Sequence, residues 1–343
     1  MGKPLRVSVR ARCPGLPPFS NFKLQTSKPA EVKMLAPRKL HVQLLWIVAC
    51  LVTASAGRVA FGQSDIVPLG PVELVKDGFE FTEGPASDAE GTVYFSDIPA
   101  ATIHRLTTDG KINVFTADSK YNNGSIFTSD GRLLGCQMDG AVVEYDKASG
   151  KVAKVLADTF AGKRFNAPND LIVDKEGGIY FTDPLYRAPE PLPQEIQTVY
   201  YIAKDSKVTR VTEGMAAPNG IALSPDGKKL YVIPSMQSQM LVYDVLGPGS
   251  LGKQSVFCTL RQPADKSGTG GDGMAVDAEG NLYITTDIGI QIFSPEGAAI
   301  GVLKIPQHPA NAAFGGVDRK TLFVTARTGF YKVLMPIAGL APN

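Results

Sequence analysis

Asn169-Asp-Leu-Ile-Val-Asp-Lys-Glu-Gly-Gly-Ile-Tyr-Phe-Thr-Asp183 decides the fold. A short apolar run, Leu171–Val173, meets a turn of Asp174, Gly177 and Gly178. A second run rich in aromatic and β-branched residues follows, Ile179–Thr182. Two short runs split by turn formers read as a pair of antiparallel strands. Outward from this stretch the same unit recurs. It appears as Glu83-Gly-Pro before Thr92-Val-Tyr-Phe, and as Asn123-Gly-Ser before Arg132-Leu-Leu. It returns as Asn219-Gly-Ile before Lys229-Leu-Tyr-Val, as Asp272-Gly-Met before Asn281-Leu-Tyr-Ile, and as Asn311-Ala-Ala before Thr321-Leu-Phe-Val. The second-strand markers Tyr94, Leu134, Tyr180, Tyr231, Tyr283 and Phe323 are spaced 40 to 52 residues apart, a period that belongs to blade-type repeats.

Behind each marker a third strand alternates with period two, as in Thr102-Ile-His-Arg-Leu, Val142-Val-Glu-Tyr and Met240-Leu-Val-Tyr. A fourth is placed at Ile112–Phe115, Val152–Leu156, Val208–Val211, Ser255–Thr259 and Ile300–Leu303. Four antiparallel strands per unit, six units and no helical period predict an all-β fold, a six-bladed β-propeller. The sixth unit stops after its third strand, Gly329–Leu334. Val72–Val75 is therefore expected to supply the missing strand, so that the ring is closed by an N-terminal strand and no edge is left open. An open β-sandwich or two β-domains would need a linker, and no linker-like stretch breaks the array.

Composition narrows the function. Lys and Arg number 35 against 33 Asp and Glu, so no charge excess favours nucleic acid. A chain 44% hydrophobic and 20% charged can fill a core. Residues 1–33 are basic, with Lys3, Arg6, Arg10, Arg12, Lys23, Lys28 and Lys33 against Glu31. An apolar run, Leu44–Thr53, and Ala54-Ser-Ala56 follow. These are the parts of a secretory signal, and the run is too short to span a bilayer. Residues 1–62 are read as an N-terminal extension and signal peptide, removed near Ala56 or Gly62, with Met1 or Met34 as the start. Residues 63–343 are then one propeller domain, exported to the periplasm or outside the cell. A signal anchor and lipidation at Cys50 are the rival readings. Cys13 and Cys50 fall in the removed part; Cys136 and Cys258 read as buried free thiols.

In a propeller the first strand of each blade lines the central channel. Counting back 11 or 12 residues from each marker, one slot holds Glu83, Asn123, Asn169, Asn219, Asp272 and Asn311. Any single Asn-Gly or Asp-Gly is a turn former. Six oxygen-bearing side chains in one register, one of them a Glu, point instead to a ring around the axis. Carboxylates and amides without His or Cys suit a hard divalent cation, Ca²⁺, Mg²⁺ or Mn²⁺, rather than structural zinc. Only three His occur, and His41 lies in the leader, which argues against a His-based triad. Asp97, Gln137, Asp183 and Asp287 end second strands and either face the same mouth or cap turns. Pro184–Gln197 and Arg261–Gly271 are the long loops on that face. Tyr186 and Arg187 in the first either touch substrate or face solvent.

These residues resemble the SMP-30/gluconolactonase-like, or regucalcin-like, six-bladed propellers. The shared motifs are Glu83-Gly-Pro, Pro168-Asn169-Asp170 with Tyr180-Phe-Thr-Asp183-Pro, Pro218-Asn219-Gly220 with Ser224-Pro-Asp-Gly, and Gly271-Asp272-Gly273-Met-Ala-Val-Asp, across Val72 to Val333. The resemblance implies one divalent ion, Ca²⁺ first with Mg²⁺, Mn²⁺ or Zn²⁺ left open, held by Glu83, Asn169, Asn219 and Asp272. It implies hydrolysis of a lactone, a sugar lactone first, with Asp272 moving the proton. Asn123, Gln137 and Asp183 are the expected hydroxyl partners. The implied partner is a small-molecule lactone, without nucleic acid or a stable membrane span, on a monomer or dimer. One departure stands out: many bacterial relatives carry an acidic residue and a His after the second-blade Cys, where this chain has Cys136-Gln137-Met138. Hydrolysis of phosphotriesters or other esters at the same site, and a non-catalytic calcium-stabilised propeller that binds sugar or protein, are the rival functions.

Overall fold

The computed structural model describes residues 66–266 and 269–343. The proposed leader, with Met34, Cys50 and both cleavage points, lies outside them. Six antiparallel sheets form the six blades, and the described residues contain no helix. The inner strands are Thr82–Ser87, Asn122–Phe127, Leu171–Val173, Pro218–Leu223, Met274–Val276 and Pro309–Gly315. The repeat read from the sequence is the register of the pairs. Tyr94, Leu134, Tyr180, Tyr231, Tyr283 and Phe323 lie opposite Ala86, Ile126, Ile172, Ala222, Ala275 and Ala313 of their own inner strands. An aromatic side chain faces a smaller one in each pair save the second, where Leu134 faces Ile126. The predicted fourth strands are observed at Ile112–Thr116, Val152–Ala157, Val208–Arg210, Ser255–Thr259 and Ala299–Leu303.

Glu73–Asp77 is the outer strand of the sixth blade, antiparallel to Gly329–Leu334, with Glu73 opposite Lys332. Closure therefore falls one residue later than Val72, where the sequence put it. Thr82 fastens the seam on the inner side: its hydroxyl donates to the Gly329 carbonyl at 2.9 Å and accepts the Ala326 N–H at 3.0 Å. Between blades 6 and 1, Phe330 stacks on Phe95 with ring centres 4.2 Å apart and on Phe323 at 5.8 Å. Phe79 meets Phe95 edge-on. Each blade has two apolar faces, and packing against its neighbours buries both. Cys136 and Cys258 are buried free thiols on blades 2 and 4.

Phe330 is fully buried. Replacing it with Ala empties the seam that joins the last blade to the first. Phe330→Ala is expected to lower the free energy of unfolding by about 3–5 kcal/mol, read from denaturant unfolding followed by circular dichroism.

Candidate functional site

The inner strands run in one direction, so their first residues gather at one mouth of the channel. Glu83, Asn123, Asn169, Asn219 and Asp272 line a single cavity there, of about 570 Å³. Glu83, Asn123, Asn169 and Asn219 are buried, and Asp272 is half-buried. Asn311, the sixth residue of the slot, faces away and lines a separate cavity toward the opposite mouth, together with Asp170. Asn123 and Asn219 stand inside strands, not in turns. Their following glycines serve close approach. A Cβ on Gly124 would lie 2.7 Å from the Asn169 carbonyl, and one on Gly220 would lie 2.7 Å from the Asp272 carbonyl. The space goes to main-chain bonds between blades: Gly124 donates to the Asn169 carbonyl at 2.7 Å and Gly220 to the Asp272 carbonyl at 2.9 Å. The glycine thus locks each slot residue to the next one around the axis.

Asn219 donates its amide N–H to Asp272 Oδ1 at 2.6 Å and to the Tyr186 hydroxyl at 3.2 Å. Its own oxygen is thereby oriented as the remaining donor atom. Burial, and then the nearby charge of Asp272, hold the Glu83 carboxyl well above the usual carboxylate range. Burial lifts Asp272 to about 6, against the hydrogen bond from Asn219. Asp170, adjoining the mouth from within the channel, is lifted to about 7, again by burial. Among the described residues none of these three carboxylates has an ion pair. Nor do three or more His, Cys, Asp or Glu side chains converge there on one point. The donor set at the mouth is mixed, two carboxylates with amide oxygens of Asn169 and Asn219. Buried negative charge without a cationic partner, faced by neutral oxygens, fits a hard divalent cation.

Three residues expected at the substrate are placed elsewhere. Asp183 is fully buried, and its two oxygens accept the N–H groups of Asn166 at 2.9 Å and Ala167 at 2.8 Å. Asp97 does the same for Glu80 and Phe81. Both carboxylates cap the segment that enters the inner strand. Gln137 donates to the Tyr145 hydroxyl at 3.1 Å and does not border the cavity. Arg187 lays its guanidinium over Tyr121, 3.3 Å from the ring centre, also off the cavity wall. Asn123 and Tyr186 do border it.

The sequence reading missed two features. Lys266 and His308 meet at Asp287, with Lys266 Nζ 3.1 Å from Oδ2 and His308 Nε2 bonded to Oδ1. Burial raises Asp287, but the bonds from His308 and Lys266 more than offset this and hold it below the ordinary range. His308 lies three residues before Asn311, much as Phe81 lies two before Glu83, a register signal that was available. The second is Asp170, which follows Asn169 directly and lines the channel behind the mouth.

A family profile described as SMP-30/Gluconolactonase/LRE-like region matches residues 81–328. The chain belongs to this family. Within it, a gluconolactonase of Zymomonas mobilis is 30% identical over 288 residues, covering 77% of this chain and 81% of the relative. A lactonase of Staphylococcus saprophyticus is 26% identical, covering 68% and 72%. A solved gluconolactonase of Xanthomonas campestris superposes with a TM-score of 0.71 at 27% identity, covering 79% of this chain and 94% of that one.

Asp183→Asn tests the capping role. The amide keeps one acceptor and turns a donor toward the other N–H. A loss of about 1–3 kcal/mol in unfolding free energy is expected, because one buried N–H loses its partner. Asp97→Asn, at the matching cap of blade 1, should cost a similar amount, and thermal melting of the two variants checks the assignment.

Proposed function

We propose that this chain is an exported, divalent-cation-dependent lactone hydrolase. The observation that carries the reading is the meeting of Glu83, Asn169, Asn219 and Asp272 on one buried cavity, in a chain whose relatives are named gluconolactonase and lactonase. These four residues would hold the ion, calcium first. Bound there, the ion supplies Lewis-acid polarisation of an ester carbonyl and balances negative charge as it develops. The chain's own groups do the rest. Asp272 is a half-buried carboxylate whose Oδ1 is fixed by Asn219, leaving Oδ2 to take a proton from an attacking water. The water oxygen bonds to the acyl carbon, the ring C–O bond breaks, and the proton passes to the departing alkoxide. The product is an open hydroxy acid. Tyr186 keeps Asn219 in place from the long loop of blade 3. A sugar lactone is the reference substrate by analogy with the named relatives.

Cation binding and protonation compete for Glu83 and Asp272. Both carboxyls are shifted upward, Asp272 to about 6, so below that pH the site carries protons that the ion must displace. Through Asp272, calcium affinity is therefore expected to fall by about tenfold per unit as pH drops below about 6, and the raised Glu83 carboxyl adds to the loss. Calorimetry in buffers of different ionisation enthalpy should show more proton release on calcium binding at pH 6 than at pH 8. In the same preparation, chelation should abolish lactone hydrolysis and added Ca²⁺ restore it. Asp272→Asn should keep the melting transition yet lose turnover by at least about a thousandfold. Normal hydrolysis by a folded Asp272→Asn protein would defeat the mechanism.

Export rests on the basic, apolar and Ala54-Ser-Ala56 segments of residues 1–62. Sequencing the N-terminus of the protein recovered outside the cytoplasm should give a start after Ala56 or Gly62. A start at Met1 or Met34 would refute removal of the leader.

A further inference from the structure

The walls of the mouth cavity divide into two unlike arcs. Blades 4 to 6 present the polar one, where Lys266, Asp287 and His308 form one bonded group. Blades 1 and 2 present Phe81, Ile98, Pro99 and Met138. Phe81 leads into the first inner strand, and Ile98 and Pro99 crown the turn after the second strand of blade 1. Met138 occupies the matching turn of blade 2 and is buried. At its Phe81 end the arc carries a charge, the Arg327 guanidinium lying 5.2 Å from the Phe81 ring centre, while the polar groups beside Ile98, Pro99 and Met138 are engaged. Asn123 turns its amide nitrogen to the Met138 sulfur at 3.9 Å, and Gln137 is bonded to Tyr145. A ring substituent lying against Ile98, Pro99 and Met138 therefore meets hydrocarbon. A hydroxyl placed there loses water and gains no partner, at a cost of about tenfold in affinity for each such group. A methylene placed there gains about fourfold.

We propose that the preferred substrate is a lactone bearing a hydrocarbon substituent, which lies against Phe81, Ile98, Pro99 and Met138 while the ester group sits at the axis beside Asp272. This rests on the lactonase reading and departs from its reference substrate, the polyhydroxylated sugar lactone. At about 570 Å³ the cavity has room for the ring and a short chain.

The test is a series of δ-lactones hydrolysed by the calcium-replenished protein and followed by acid release: δ-hexalactone, δ-octalactone, δ-decalactone and glucono-δ-lactone. From hexalactone to octalactone kcat/KM should rise about fifteenfold, two methylenes' worth, and octalactone should exceed glucono-δ-lactone at least tenfold. Met138→Gln should reduce the octalactone to gluconolactone ratio by about tenfold. Ile98→Ser, at a partly exposed turn, should move the ratio the same way and keeps the test readable if Met138→Gln does not fold. Preference for gluconolactone, indifference to chain length, or a ratio unmoved by Ile98→Ser overturns the substrate assignment and leaves the lactonase reading standing. Turnover of none of the four lactones sinks the lactonase reading, and the substrate assignment with it.

Discussion

Six strands crowd one axis, and how closely their backbones approach governs everything at the mouth. Side chains do not fit between neighbouring inner strands at the positions that follow Glu83, Asn123, Asn219 and Asp272. A Cβ on Gly84 would come within 2.0 Å of the Asn123 carbonyl, and one on Gly273 within 2.1 Å of the Asn311 side chain. Gly84 also sits at a φ of +47°, which favours glycine on its own account. The polar residue before each glycine inherits a fixed place beside its neighbour. Five side chains far apart in sequence come to share one cavity because the main chains beneath them touch.

That packing has an electrostatic consequence. Glu83, Asp170 and Asp272 are taken out of water near one another, and burial raises each above the ordinary carboxylate range. A desolvated like-charge group is unfavourable for folding unless protons or a cation neutralise it. Asn311 offsets part of this inside the channel, where its nearby amide favours the charged forms of Glu83 and Asp170. The fold thus carries an electrostatic cost that protons or the proposed cation would offset, which would link the stability of the whole ring to the chemistry at its centre.

The blades were legible because the repeat is written in strand-length runs and turn formers, and because Tyr180 and its equivalents keep one register throughout. The mouth was legible only in part. Four inner strands carry register shifts, between Glu83 and Ala86, Asn122 and Ser125, Pro218 and Ile221, and Pro309 and Asn311. A bulge re-aims the side chains beside it, and alternation in the sequence does not reveal where it falls. Glu83 precedes its bulge, opposite Ser96, whereas Asn311 follows its own, opposite Thr325, and so faces the other way. Asp183 misled for a different reason. A carboxylate at a strand end serves equally well as a ligand or as an acceptor for main-chain N–H groups, and only the path of residues 166 and 167 decides.

The seam also governs how such a chain must fold. Glu73 pairs with Lys332, so the outer strand of the last blade is drawn from the opposite end of the domain. Earlier blades can form from neighbouring segments, but the circle stays open until its final hairpin exists. Contacts between such distant segments form slowly, because the chain between them must first be ordered. Until then the edge of Gly329–Leu334 has no strand beside it, and an unpaired edge invites other chains. The molecule is most vulnerable to aggregation just before it becomes complete.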